Sequence, residues 1–124
     1  MNTRWRHSLD ALELARHIVD VVEDNKAQDI VLLDLRPDTV IADFFVICNG
    51  SSDRQLRALT DYIREGLKED YKVRPFAVEG KPESGWVLLD YGDVVVHIFT
   101  AEQREFYGLE SLWGEVANVL LSIQ

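Results

Sequence analysis

Asp29-Ile-Val-Leu-Leu-Asp-Leu35 and Phe44-Phe-Val-Ile-Cys48 are almost unbroken apolar runs with only eight residues between them. Short runs of this kind, without the polar alternation of a half-solvated strand, fit strands buried on both faces. Arg36-Pro-Asp38 stops the first run. A crossover to a parallel neighbour takes about a dozen or more residues, so the two strands are expected to pair antiparallel. Strands buried on both faces need other elements against them, and the rest of the chain has to supply those layers.

Ser8 reads as the N-cap of a first helix, in which Leu9, Leu12, Ala15, Val19 and Val22 recur at helical spacing and which ends near Asn25. Gly50-Ser-Ser52 opens a second helix with Leu56, Leu59, Ile63 and Leu67 on one face and Arg54, Arg57, Asp61 and Arg64 toward water. Residues 73–78 read as a third strand and residues 79–85 as an exposed loop. Residues 86–90 and 94–99 read as a hairpin turning at Tyr91-Gly92. Leu109, Leu112, Val116, Leu120 and Ile123 return to helical spacing, interrupted by Gly108 and Gly114. The expectation is an α/β (α+β) fold: a mixed five-stranded sheet packed with helices, in one domain over residues 1–124, with a short C-terminal helical extension over about 114–124.

Thirteen Lys and Arg against 22 Asp and Glu leave a net charge of −9. That charge repels a nucleic-acid backbone and favours a basic partner, so direct nucleic-acid binding is not expected. No apolar run reaches the ~20 residues that span a bilayer, and residues 1–7 lead into no signal-peptide core, so a cytoplasmic protein is expected. The single cysteine, Cys48, lies inside an apolar run and reads as a buried structural thiol.

Catalytic constellations are weak. Gly50-Ser51-Ser52 lacks the Walker lysine and the three-glycine dinucleotide pattern, and serines before a helix are ordinary caps. Asp90 and Asp93 are offset by three residues across a turn, which does not aim two carboxylates at one metal, and no third acid follows in residues 94–99. His97 shares a strand face with Val95 and Phe99 and has no nucleophile at motif spacing; a hydrogen-bonded structural histidine is the simpler reading. His7 and His17 fit no zinc pattern and read as surface residues. No catalytic residue, metal site or cofactor is expected.

Residues 79–93 carry Glu79, Glu83, Asp90 and Asp93 against Lys81 alone, together with Trp86 and Tyr91. Aromatics ringed by acids suit a protein interface. Equally, Trp86 is core and the acids are solvated tips; periodicity does not choose.

Four segments together resemble the ribosomal silencing factor, or Iojap, family: Asp29-Ile-Val-Leu-Leu-Asp-Leu35, Ala42-Asp-Phe-Phe-Val-Ile-Cys-Asn-Gly-Ser-Ser52, Gly85-Trp-Val-Leu-Leu-Asp-Tyr-Gly-Asp-Val-Val-Val-His-Ile-Phe99 and Arg104-Glu-Phe-Tyr-Gly-Leu-Glu-Ser-Leu-Trp113. The resemblance implies a nucleotidyltransferase-like fold without the catalytic acids. It implies a translational repressor that docks on ribosomal protein L fourteen of the large ribosomal subunit and sterically blocks the small subunit under nutrient limitation. The family tryptophan at the docking surface matches Trp86, with Asp90, Tyr91 and Asp93 as inferred neighbours in a partner-binding site. Residues 104–113 fit a structural role equally well, since Phe106, Leu109 and Leu112 have the spacing of a core-facing helix, and the segment is left out of the docking site. The apolar tail after Trp113 is expected to pack on the sheet or to mediate a homodimer. A metal-dependent nucleotidyltransferase and a large-subunit assembly factor are the competing functions.

Overall fold

The computed structural model describes residues 8–36, 40–114 and 116–124, and the side chains of residues 8–10 lie outside that description. The expected cap at the Ser8 side chain, the apolar Leu9, His7 and the stop at residues 37–38 therefore fall outside the described residues. The chain runs α1 (Ser8–Asp24), β1 (Gln28–Asp34), β2 (Phe44–Asn49), α2 (Asp53–Tyr71), β3 (Ala77–Lys81), a single 3-10 turn (Pro82–Ser84), β4 (Trp86–Asp90), β5 (Val94–Phe99), α3 (Ala101–Tyr107), α4 (Leu109–Trp113) and β6 (Asn118–Ile123).

Six strands form one sheet in the order β3-β4-β5-β2-β1-β6. The β1–β2 pair is antiparallel, as the short connection between them requires, with Leu32 opposite Val46 and Leu33 opposite Phe45. Only β2 and β5 pair parallel, joined through α2 and the β3–β4 hairpin. These two central strands are buried at every position.

Alternation along the strands sorts side chains onto two faces. One face, with Ile30, Leu32, Phe44, Val46, Cys48, Val87, Leu89, Val96 and Ile98, packs under Ala15, Ile18 and Val22 of α1 and Leu56, Leu59, Ile63 and Leu67 of α2. Cys48 is fully buried there, and burial pushes its thiol up to about 12, which suits a packing role. The other face, with Val31, Leu33, Phe45, Ile47, Val95 and Phe99, is only partly roofed, by Leu109 and Trp113.

Two expectations are corrected. The sheet has six strands, not five, because residues 118–123 are not helical: β6 pairs antiparallel with β1, placing Leu121 opposite Leu32 and Ile123 opposite Ile30. Leu120 and Ile123 keep helical spacing only by coincidence; a bulge between Leu32 and Leu33 of the β1–β6 ladder disturbs the period of two. The third strand begins at Ala77 rather than Val73, and Glu79, Gly80 and Lys81, expected in a loop, form its outer half. Pro75 lacks a backbone N–H to give a ladder, and pairing starts beyond it.

The Gly50-Ser51-Ser52 turn is a cap. The Ser52 hydroxyl accepts the Gln55 N–H at 3.1 Å, the Gln55 side chain accepts the Ser51 N–H at 2.6 Å, and the Gly50 N–H donates to the Phe99 carbonyl at 2.8 Å. Three of the N–H donors that a phosphate cradle would draw on, those of Gly50, Ser51 and Gln55, are thus engaged within the protein. A Cβ on Gly50 would stand 2.6 Å from Leu56 Cδ1, so its glycine answers to packing. Ser52→Ala is expected to lower unfolding free energy by about 1 kcal/mol, read as a lower urea midpoint with an unchanged slope. An unmoved midpoint would mean that Gln55 holds the turn without the hydroxyl.

Candidate functional site

β4 shows how the half-roofed face arises. Val87 and Leu89 are buried under α2, whereas Trp86, Leu88 and Asp90 alternate to the opposite face and stay half-buried. The β4–β5 register sets Trp86 beside Phe99, Leu88 beside His97 and Asp90 beside Val95. The β2–β5 register continues this face with Phe45 and Ile47. β3 contributes Lys81 opposite Trp86 and Glu79 opposite Leu88.

Arg104 fixes how far the roof extends. Its Nε and Nη2 each donate at 2.8 Å to one carboxylate oxygen of Glu110, and its Nη1 donates to the Asn49 side-chain oxygen at 2.9 Å and to the Asp29 carbonyl. The guanidinium thus ties α3 and α4 to the ends of β1 and β2, and its hydrogen bond holds the Glu110 carboxyl below its ordinary value. Arg104 and Leu109 fill the structural role that residues 104–113 fit. Phe106 and Leu112 do not: they are 76% and 70% exposed. Gly108, at φ +58°, breaks the segment into two helices, so residues 106, 109 and 112 never share one helical face.

The Trp86 indole lies in an aromatic cluster. It stacks on Phe99 with centroids 5.0 Å apart and meets Tyr107 at 4.4 Å. Its Nε1–H donates to His97 Nδ1 at 3.2 Å. The hydrogen-bonded, structural histidine expected at position 97 is what the geometry shows. Burial pushes the imidazole down to about 4, so it is neutral near pH 7. Beside the indole, Glu79, Gly80, Ser84, Trp86, Leu88 and Tyr107 line a shallow cavity of about 180 Å³.

The four residues expected around the partner do not all gather here. Trp86 and Asp90 share the open face. Asp90 also serves its own turn, accepting the Gly92 N–H at 2.8 Å. Asp93 is exposed at the turn, while its carbonyl receives the N–H groups of Asp43 and Phe44. Tyr91 is corrected: it is 6% exposed and packs with the residues beneath α1 and α2, and burial pushes its phenol up to about 12. Alternation along β4 continues past Asp90, so Tyr91 falls with Val87 and Leu89 on the opposite side from Trp86. Sequence reasoning missed Leu88 and Tyr107 as companions of the indole. The period of two from Trp86 contained the first, but the second comes from a separate helix and left no signal. Among the described residues, no three His, Cys, Asp or Glu side chains are grouped to hold a metal ion, and no helix is long and apolar enough to cross a membrane.

A mixed sheet roofed by long helices on one face, with an aromatic strip left half-open on the other, defines a class of small α+β protein rather than an individual. Residues 8–123 match the family described as ribosomal silencing factor during starvation. The chain is 38% identical over 109 residues to the ribosomal silencing factor of Halalkalibacterium halodurans, covering 88% of this chain and 92% of that one. A crystal structure of a Chromobacterium violaceum protein is similar at a TM-score of 0.79 and 36% identity, covering 84% of this chain and 86% of that one. A mouse protein named for mitochondrial assembly of the ribosomal large subunit is 35% identical over 99 residues, 77% of this chain and 43% of that one. This chain belongs to the ribosomal silencing factor family.

His97 makes stability pH-dependent. Its imidazole takes up a proton near 6.5 when unfolded and near 4 when folded. Between those values the unfolded chain binds the extra proton, so stability is fully present above about pH 6.5 and falls as pH drops toward 4, by about 3 kcal/mol in all. Denaturant midpoints measured across this range are expected to decline for the wild type and to lose most of that slope in His97→Leu. An equal slope in both would assign it to other groups.

Proposed function

We propose that this protein is a translational repressor that binds the large ribosomal subunit through ribosomal protein L fourteen and, while bound, sterically blocks association with the small subunit under nutrient limitation. It acts by occupancy, without chemistry, in the cytoplasm where ribosomes assemble. The observation that carries the reading is Trp86: a large aromatic on the half-open face, beside a cavity lined also by Leu88 and Tyr107, in a chain of the silencing-factor family. An aromatic anchor next to a cavity is what a protein interface buries at its centre. The net charge of −9, with Glu79 at the cavity and Asp90 and Asp93 at the turn, suits a basic partner and steers its approach. Tyr91, buried on the far side, is left out of the docking set. A homodimer through the tail would use the outer edge of β6, since β1 occupies the inner one.

Trp86→Ala is expected to abolish cosedimentation with the large subunit and to restore subunit joining while the variant stays folded. Losing such an anchor costs about 2 kcal/mol or more of binding, roughly thirtyfold in affinity. A variant that melts like wild type yet still pellets with the large subunit and blocks joining would remove Trp86 from the interface. Steering is tested separately. Asp90 holds its turn, so Glu79→Lys with Asp93→Lys is the cleaner pair; slower association and a weaker salt dependence are expected. Unchanged on-rates across salt would sink the acidic rim.

A second reading, assembly of the large subunit, is favoured by the mouse relative's name. It predicts that the purified protein leaves the joining of mature subunits unaffected. Inhibition of joining in a purified system supports silencing instead.

A further inference from the structure

We propose that His97 is a positioning residue for docking: from beneath the open face it holds the Trp86 indole in the orientation that the partner meets. The inference rests on the reading of Trp86 as anchor. An indole N–H donates only, so the 3.2 Å contact makes His97 Nδ1 the acceptor and leaves the ring's single proton on Nε2. That tautomer comes at a cost. His97 is 4% exposed, and its Nε2 is buried with no hydrogen-bond partner among the described residues.

An apolar side chain would fill this place among Phe45, Ile47, Leu88 and Phe99 without leaving a polar atom orphaned. What the imidazole adds is direction. Phe45 meets its ring edge-on at 4.7 Å, and Phe99 lies nearly parallel to it at 6.1 Å, so neighbours on two sides constrain the plane that presents Nδ1. Stacking on Phe99 and a tilted contact with Tyr107 set how close the indole lies, but ring contacts of this kind tolerate sliding and rotation. A hydrogen bond at one edge removes that freedom. The indole is thereby pinned beside the cavity that it lines with Glu79, Ser84, Leu88 and Tyr107. Pre-orienting an anchor spares the partner the ordering cost of binding, which places His97 in the affinity for the ribosome without requiring that it touch the ribosome.

The test uses full-length variants, purified large subunits, and the Trp86 indole N–H resonance, assigned by its disappearance in Trp86→Phe. His97→Leu removes the acceptor. His97→Asn places a carbonyl oxygen near the position of Nδ1. Expected are a shifted indole resonance and roughly tenfold weaker binding in His97→Leu, with both recovering in His97→Asn. In a Trp86→Phe background, which lacks the donor, His97→Leu is expected to change binding no further. If His97→Leu melts too early to assay, His97→Gln, whose amide reaches past Nδ1, gives the same contrast with His97→Asn. Wild-type binding by His97→Leu or His97→Gln with a displaced indole resonance would overturn the inference. An equal loss in the Trp86→Phe background would overturn it too, since His97 would then act without the indole. Retained binding in Trp86→Ala would overturn the docking reading and this inference together; lost binding there with intact binding in His97→Leu overturns only the latter.

Discussion

The parallel pairing of β2 with β5 is the contact on which the rest of the molecule depends. Every residue of both strands is buried, from Phe44 opposite Val94 to Asn49 opposite Phe99. Because the two strands run the same way, the chain must cross over between them, and α2 with the β3–β4 hairpin makes that crossing. The crossing leaves α2 beside α1 on one face of the sheet. Cover for the opposite face comes from the chain beyond β5, where α3 and α4 are both short.

Those short helices define the candidate site. α3 and α4 together cover only part of the second face, and Arg104 anchors them over the β1–β2 end through Glu110, Asn49 and Asp29. The β4 side keeps Trp86 and Leu88 half-buried. The same arginine bolts the roof down and confines it, since two of its hydrogen bonds hold Glu110 of α4 and two reach Asp29 and Asn49 at one end of the sheet. The half-open aromatic strip is thus a product of where the roof is pinned, not of any feature of β4 itself.

Two polar groups illustrate how hydrogen bonding serves different ends in one small fold. At Gly50-Ser51-Ser52, backbone N–H groups that a nucleotide would need are used to join β5 to the start of α2, and the Gln55 amide reaches on to the Asn25 and Lys26 carbonyls at the end of α1. That turn is structural glue. At His97 one ring nitrogen is satisfied by Trp86 while the other has no partner among the described residues, an unfavourable arrangement for stability alone.

Much of this architecture was legible in the residues. The doubly apolar runs at 29–35 and 44–48 identified β1 and β2, their short link gave antiparallel pairing, and Leu56, Leu59, Ile63 and Leu67 marked the buried stripe of α2. Family membership followed from the 85–99 and 104–113 segments, and Trp86 stood out as an aromatic among acids. Local pattern could not decide the rest. Val116, Leu120 and Ile123 read as helical, yet residues 118–123 became β6 because β1 offered an unpaired edge that only the folded sheet creates. Tyr91 lies on the opposite side of the sheet from Trp86, where the period of two puts it once β4 is known to run unbroken up to the turn. Tyr107 reached Trp86 only because Gly108 ends α3 and Arg104 seats it. Periodicity determines which side chains want to leave water, since that preference belongs to each residue; which partners they find is decided by strand register and by the few long-range hydrogen bonds that pin one element on another, and those exist only after the chain has folded.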